Sequence, residues 1–243
     1  MKCLVIAAGQ GTRLRSLAPS KPLAEVRGRP LIERIAGMAR AGGATSFVVV
    51  TGYEAEGLEA FLPGLADRLG VPIEAVRNPD WHRPNGVSVL AARERLGGEA
   101  FALLMSDHLF DPAILAAAIA GRPADAALTL ACDYDIANPE LDLDDATKVD
   151  ADEAGRIRRI GKAVTPYNAV DTGIFVAGPA LLDALDASLA AGGAGSLSEG
   201  VQRLADEGRA FARDIGGRWW VDVDDEPAFR RAEATLPAAF LNL

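Results

Sequence analysis

Lys2-Cys3-Leu4-Val5-Ile6-Ala7-Ala8-Gly9-Gln10-Gly11-Thr12-Arg13-Leu14, with Lys21-Pro22-Leu23 close behind, is the stretch that decides the fold. An apolar, β-type run stops at a small loop punctuated by glycine. The loop then delivers an arginine and a lysine. Glycines let backbone N–H groups converge on an anion, and the two cations neutralise it. The anion is most simply a nucleoside triphosphate. Two common nucleotide loops are excluded by particular residues. A dinucleotide fingerprint needs a third glycine where Leu14 stands, and a P-loop needs a terminal Gly-Lys-Ser/Thr. A tight strand-to-helix turn is the plain alternative for a glycine pair alone. Thr12, Arg13 and the Lys21-Pro22 pair shift the reading to function.

Outward from this loop, strand-like and helix-like segments alternate at short spacing. Residues 2–7, 46–51, 71–76 and 101–105 read as strands, and 30–41, 54–62 and 87–95 as helices between them. Near-continuous apolar strands separated by helices predict a parallel sheet covered on both faces. The rhythm changes after about residue 125. Strand-like segments at 126–132, 147–149, 157–160 and 170–176 follow with fewer helices between them, and the acidic stretch 133–145 reads as an exposed loop. Helices at 181–189 and 197–207, a strand at 219–223 and a helix near 227–236 close the chain. The expectation is an α/β fold, a Rossmann-like three-layer sandwich with a mostly parallel, mixed central sheet. It forms one domain over 1–243, with a nucleotide-binding half to about 125 and an acceptor-binding half beyond.

Composition narrows the classes. Of 243 residues, 49% are hydrophobic, enough to bury a real core. No apolar run has transmembrane length, and no signal peptide precedes the first strand. The two cysteines, Cys3 and Cys132, lie far apart in apolar stretches and read as buried thiols. A cytoplasmic protein is expected. The net charge of −9 argues against general nucleic-acid binding, although a few local cations can dominate a phosphate pocket.

Gly-x-Gly-Thr-Arg-Leu followed by Lys-Pro-Leu resembles the nucleotidyltransferases that activate sugar phosphates and phospho-alcohols. The resemblance implies the nucleotide-diphospho-sugar transferase type of fold. It also implies that Ala7, Ala8, Gly9, Gly11 and Thr12 wrap the triphosphate. Arg13 would contact the β- and γ-phosphates, and Lys21 the α-phosphate. The segment between Arg13 and Lys21 is shorter than in typical sugar-nucleotide enzymes, a feature of the phospho-alcohol branch. Asn85-Gly86-Val87-Ser88 reads on its own as a turn and cap. In the resembling family such a segment lies against the nucleobase, so Asn85, Gly86 and Ser88 are candidate base contacts. The motif alone does not name the base. His82 reads as a loop residue and Trp81 as packing.

Asp107 follows the apolar run 101–105, where open α/β sheets bind ligands. In Trp220-Val221-Asp222-Val223-Asp224, alternation puts both aspartates on one strand face. Mg²⁺ takes oxygen ligands, usually one or two carboxylates plus phosphates and water. Asp107 and Asp222 are therefore the candidate Mg²⁺ ligands, with Asp224 as a third. A lone aspartate after a strand would more simply cap or turn, as Asp111 does before the next helix. His108 is left open between a substrate-phosphate contact, an orienting partner for Asp107 and a structural role, because Mg²⁺ disfavours imidazole.

Ala146-Thr147-Lys148, Ile160-Gly161-Lys162 and Val170-Asp171-Thr172-Gly173 complete the pattern. With Ser106-Asp107-His108 and Trp220-Val221-Asp222-Val223-Asp224 they resemble cytidylyltransferases that make CDP-inositol from inositol 1-phosphate. The resemblance runs from Leu4 to about Ala232. It implies that Lys162 holds the acceptor phosphate with Lys148 near it. Asp171 and Thr172 would face the polyol or the ribose, and Gly173 would leave room. It further implies CTP and a small phospho-alcohol as substrates and a CDP-alcohol, a phospholipid precursor, as product. Many relatives carry a membrane phosphatidyltransferase domain that consumes this product. No such segment follows Leu243, so a free-standing protein or an excised portion is expected. The competing readings are another phospho-alcohol cytidylyltransferase (for phosphocholine or a phosphonate), a sugar-1-phosphate nucleotidylyltransferase, a glycosyltransferase and, last, a nucleotide sensor.

Overall fold

The computed structural model describes residues 1–14, 18 and 20–243. Strand β1, Lys2–Ala7, is buried from its second residue to its last. Cys3, Val5 and Ala7 enter one hydrophobic core, and Leu4 and Ile6 enter the other. Alternation alone sends successive side chains to opposite faces, so a strand apolar at every position needs helices on both.

A small hairpin follows, β2 at Glu25–Val26 and β3 at Arg29–Pro30, and then α1, Leu31–Ala41. The chain continues with β4 (Ser46–Thr51), α2 (Ala55–Leu69), β5 (Ile73–Arg77), α3 (Asn85–Ala91), α4 (Arg93–Leu96) and β6 (Phe101–Met105). Next come β7 (His108–Phe110) and α5 (Pro112–Ala120). The second half of the chain is β8 (Leu128–Asp133), β9 (Lys148–Ala151), β10 (Ile157–Gly161), β11 (Ala169–Ala177), α6 (Pro179–Ala190), α7 (Leu197–Asp206), β12 (Ala210–Asp214), β13 (Trp220–Asp222) and α8 (Glu226–Thr235).

Among the described residues a nine-stranded sheet spans both halves in the order β10-β9-β11-β6-β1-β4-β5, with β8 on β11 and β12 on β8. β1 lies parallel between β4 and β6, and β5 is parallel to β4. β11 runs antiparallel to β6, β8 and β9. The fold is the expected Rossmann-like sandwich with a mostly parallel, mixed sheet. One core packs α1, α2 and α5 under the sheet, and the other packs α3, α6 and α7 over it. No helix among the described residues is long and apolar enough to cross a membrane.

Several expected elements change. The helix expected at 54–62 runs on to Leu69, because Leu58, Leu62 and Leu65 keep one buried face while Pro63 faces outward. Strands β7 and β12 were not expected. β12 is short and half exposed, and its pairing to β8 supplies what its sequence pattern lacks. The stretch 133–145 is not exposed throughout, since Asp133 is 5% exposed and ends β8.

Candidate active site

The site lies past the C-terminal ends of β1 and β6, where β11 changes partners. In its later half β11 pairs with β6 from Ile174 to Ala177, while Ala169 and Val170 pair with β9. Between the two stretches its register to β8 slips, and Gly173 takes φ +75°. Such a bulge re-aims side chains and often borders a functional site. Here it turns the Thr172 carbonyl toward His108, whose Nδ1 lies 2.6 Å away. A Cβ on Gly173 would come within 2.3 Å of that nitrogen, so glycine is required for the close approach.

A two-stranded ribbon assembles the acidic cluster. β7 and β13 are antiparallel, with His108 opposite Asp222. The Val223 N–H donates to the Asp107 carbonyl at 2.9 Å. Val221 and Val223 are buried, so Asp222 and Asp224 face the other way, into the cavity. His108 Nε2 is 3.4 Å from Asp222 Oδ1 and 3.6 Å from Asp107 Oδ1. Burial alone would lower the His108 imidazole, but Asp222 and Asp107 together with the Thr172 carbonyl push it up to about 10.

The segment after the glycine loop meets this cluster through Lys21. Its Nζ donates to Asp107 Oδ2 at 2.7 Å and also contacts Asp224. Burial opposes that charge, and the two carboxylates outweigh it, holding the ammonium above its usual range. Burial likewise opposes the Asp107 charge, yet Lys21 and His108 hold this carboxyl below its ordinary value. Gly11, at φ +56°, leaves room for Lys21: a Cβ there would sit 2.5 Å from the lysine Cβ. Arg13 is half exposed and reaches Asp224 and, at 3.0 Å, Asp145. The residues between Arg13 and Lys21, whose shortness the sequence analysis used, lie partly outside the described residues.

A cavity of about 470 Å³ opens beside these groups. Arg13, Asn85, Asp107, His108, Lys162, Asp171, Gly173, Asp222 and Asp224 all line it. Asp171 is pushed up to about 6, chiefly by burial, and its Oδ1 accepts from the Gly173 N–H at 2.7 Å. Two expected acceptor residues act differently. The Thr172 hydroxyl is fully buried and donates to the Ala131 carbonyl at 2.8 Å, so only its backbone serves the site. Lys148 donates to the Lys162 carbonyl at 2.9 Å and rests over the Tyr167 ring, supporting the Lys162 turn from behind.

The base segment also needs correction. Ser88 is 3% exposed, and its hydroxyl accepts from Asn78 Nδ2 at 3.0 Å. A Cβ on Gly86 would meet the Gly195 carbonyl at 2.5 Å, so helix packing explains this glycine. Asn85 does face the cavity, with Oδ1 accepting from the Leu197 N–H at 2.9 Å. Ala7 and Ala8 are buried; the Ala8 carbonyl accepts from the Tyr53 N–H at 3.0 Å. Gly9 and Thr12 are exposed at the loop. Trp81 packs edge-on against Tyr53.

Asp133 and Asp145 also line the cavity, with no local signal in the sequence to mark them. Asp133 Oδ2 accepts from Trp220 Nε1 at 2.8 Å and fixes that indole at the cavity wall. Both sit in an acidic stretch whose composition masks them, and only the fold singles them out.

Asp107, His108 and Asp222 offer ligand atoms within 4.8 Å of one another. Asp107 Oδ1 and Asp222 Oδ1 are buried and complete no hydrogen bond among the described residues, with His108 Nε2 standing off at 3.6 and 3.4 Å. Two buried carboxylate oxygens this close together fit a hard divalent cation. The donor set suits a metal, with the imidazole its least favourable member for Mg²⁺.

The chain is 35% identical over 242 residues to a bifunctional IPC transferase and DIPP synthase of Rubrobacter xylanophilus, covering 94% of this chain and 50% of that one. It thus spans about half the length of the curated relatives it matches first. Among solved structures, an inositol-1-phosphate CTP transferase from T. maritima superposes with a TM-score of 0.82 at 26% identity, over 99% of this chain and 93% of that one. A UDP-glucose pyrophosphorylase bound to UDP-glucose shares the fold at 18% identity, with a TM-score of 0.81 and 97% of each chain covered. A family model matches residues 3–207, from β1 through α7, and stops before Asp222 and Asp224. On that match, which takes in the glycine loop after β1 and the bulged strand β11, the chain belongs to the MobA-like NTP transferase domain family.

Proposed function

We propose that this chain transfers CMP from CTP to a phospho-alcohol, with inositol 1-phosphate as the acceptor, releasing pyrophosphate. The observation that carries the reading is Lys21, held between Asp107 and Asp224, two carboxylates that line the same cavity as Arg13, Lys162 and Asp171. Donor-phosphate and acceptor groups therefore share one space. The inositol 1-phosphate CTP transferase likeness and the IPC transferase relative support this choice of substrates.

In the proposed reaction a phosphate oxygen of the acceptor forms a bond to the α-phosphorus of CTP. The bond from that phosphorus to the bridging oxygen of the β-phosphate breaks, and pyrophosphate leaves with the electron pair. The acceptor oxygen is already anionic at neutral pH, so no general base is required. The obstacle is repulsion between two anions, which positioned cations offset. Lys21 stabilises charge growing at the α-phosphate, Arg13 holds the leaving pyrophosphate, and Lys162 holds the acceptor phosphate. Gly9, Gly11 and Thr12 line the triphosphate, and Asn85 contributes a polar contact at the cavity wall. Asp171 accepts hydroxyls of the polyol, and His108 keeps Asp107 and Asp222 in register from its seat on the Thr172 carbonyl.

Mg²⁺ is the proposed ion, held by Asp107 and Asp222 with Asp224 in reserve; when bound it screens phosphate charge. The buried, unpaired Cys3 and Cys132 support a cytoplasmic setting. A CDP-alcohol phosphatidyltransferase is the proposed consumer of the product, a reading supported by bifunctional relatives of twice this length. The test is pyrophosphate release with CTP or UTP against inositol 1-phosphate, phosphocholine, 2-aminoethylphosphonate and glucose 1-phosphate. Release is expected fastest with CTP and inositol 1-phosphate. Preference for UTP and glucose 1-phosphate, or no release with any pair, would refute the assignment.

A further inference from the structure

Asp145 joins the two phosphate-binding cations that the reading above assigns to different substrates. Arg13 comes from the phosphate loop, and Lys162 from the turn after β10. Arg13 Nη2 lies 3.0 Å from Asp145 Oδ2, and Lys162 Nζ contacts Asp145 Oδ1. The carboxylate is not on a free-swinging arm. Its own N–H donates to the Asp142 carbonyl at 3.2 Å, and the next N–H, of Ala146, donates to the same carbonyl at 2.8 Å. Asp142 and Asp145 both line the cavity. Hydrogen bonds from Lys162 and Arg13 keep the Asp145 carboxyl below its ordinary range, so it is ionised at neutral pH. Nothing in the proposed chemistry uses Asp145.

A carboxylate that offers one oxygen to each cation occupies the place of two phosphate oxygens. We propose that Asp145 is a positioning residue, a placeholder anion that orients Arg13 and Lys162 and couples occupancy of the nucleotide-phosphate and acceptor-phosphate sites. The proposal rests on the functional reading above. A triphosphate arriving at Arg13 takes over one of the two bonds that hold Asp145. Its negative charge also repels the carboxylate at short range. Lys162 is thereby released for the acceptor phosphate. The same exchange runs in reverse when the acceptor binds first, as thermodynamic linkage requires.

The experiment is calorimetric titration of the full chain with α,β-methylene CTP, which cannot transfer CMP, and with inositol 1-phosphate, each alone and with the other saturating, in Mg²⁺. Asp145→Asn keeps the shape and removes the charge; Asp145→Glu keeps the charge. Asp145→Asn is expected to bind each ligand alone several-fold more tightly. The factor by which one ligand improves binding of the other should fall roughly five-fold or more relative to the unsubstituted protein. Asp145→Glu should retain that factor. Coupling unchanged in Asp145→Asn, or weaker binding of either ligand alone, would overturn the placeholder role while leaving the transferase reading intact. Failure of the unsubstituted protein to bind the CTP analogue would instead bring down the transferase reading, and the placeholder with it.

Discussion

Lys21 carries the greatest share of the proposed chemistry for a single side chain. Its side chain is only 9% exposed, and two carboxylates keep it charged against the cost of burial. A preorganised cation aimed at developing charge is the kind of group whose loss slows a reaction most. Lys21→Ala is expected to lower kcat by roughly two to three powers of ten, as for removal of one positioned donor. Stopped or continuous pyrophosphate assays measure it, and a rate close to that of the unsubstituted protein would remove Lys21 from the chemistry. The identity of this lysine was readable in the sequence, because Lys-Pro-Leu after a glycine loop is a compact local pattern. What it touches was not. Its partners Asp107 and Asp224 lie 86 and 203 residues further on. Gly173 shows the same limit. The sequence marks it as room for a ligand, whereas the structure gives that room to His108.

At the scale of elements, α7 is set in place by a capping box. Ser196 Oγ accepts from the Glu199 N–H, and Glu199 accepts from the Ser196 N–H in return. The Glu199 carboxylate also accepts from the Ala194 and Gly195 N–H groups. That loop abuts Gly86 of α3, so the cap also fixes the helix that carries Asn85. Ser196→Ala is expected to cost about 1 kcal/mol in denaturant unfolding. Burial opposes the Glu199 charge, but these N–H groups outweigh it and hold the carboxyl below its ordinary value. Its contribution is therefore present above the unfolded-state pKa and is lost as pH falls through the lower folded-state value. Glu199→Gln should flatten the acid limb of the stability profile, measured by chemical denaturation from pH 6 downward; an unaltered limb would refute the assignment. Strong helices and fully buried strands such as β1, β4 and β6 were legible from apolar runs alone. β7 and β12 were not, because three to five residues with mixed exposure leave no period to read. Their pairing partners are distant in the chain, and that pairing makes them strands.

At the scale of the molecule, the order of the sheet turns separate motifs into one site. Parallel strands β1 and β6 deliver the phosphate loop and Asp107 to the same edge, and the ribbon of β7 with β13 adds Asp222. In the first half of the chain the glycine loop and Asp107 were legible in the sequence because they directly follow strands β1 and β6. The second half offered only resembling fragments, and Thr172 and Lys148 show how adjacency in a motif differs from adjacency in the cavity. The proposed reaction requires Arg13, Lys21, Asp107 and Asp222 to converge on one metal-bound polyphosphate. Its most direct test is a crystal structure with α,β-methylene CTP and Mn²⁺, read by the anomalous signal of the manganese. A peak bound to Asp107 and Asp222 is expected, with the triphosphate on Lys21 and Arg13. Manganese away from both aspartates, or a triphosphate that touches neither cation, would contradict it.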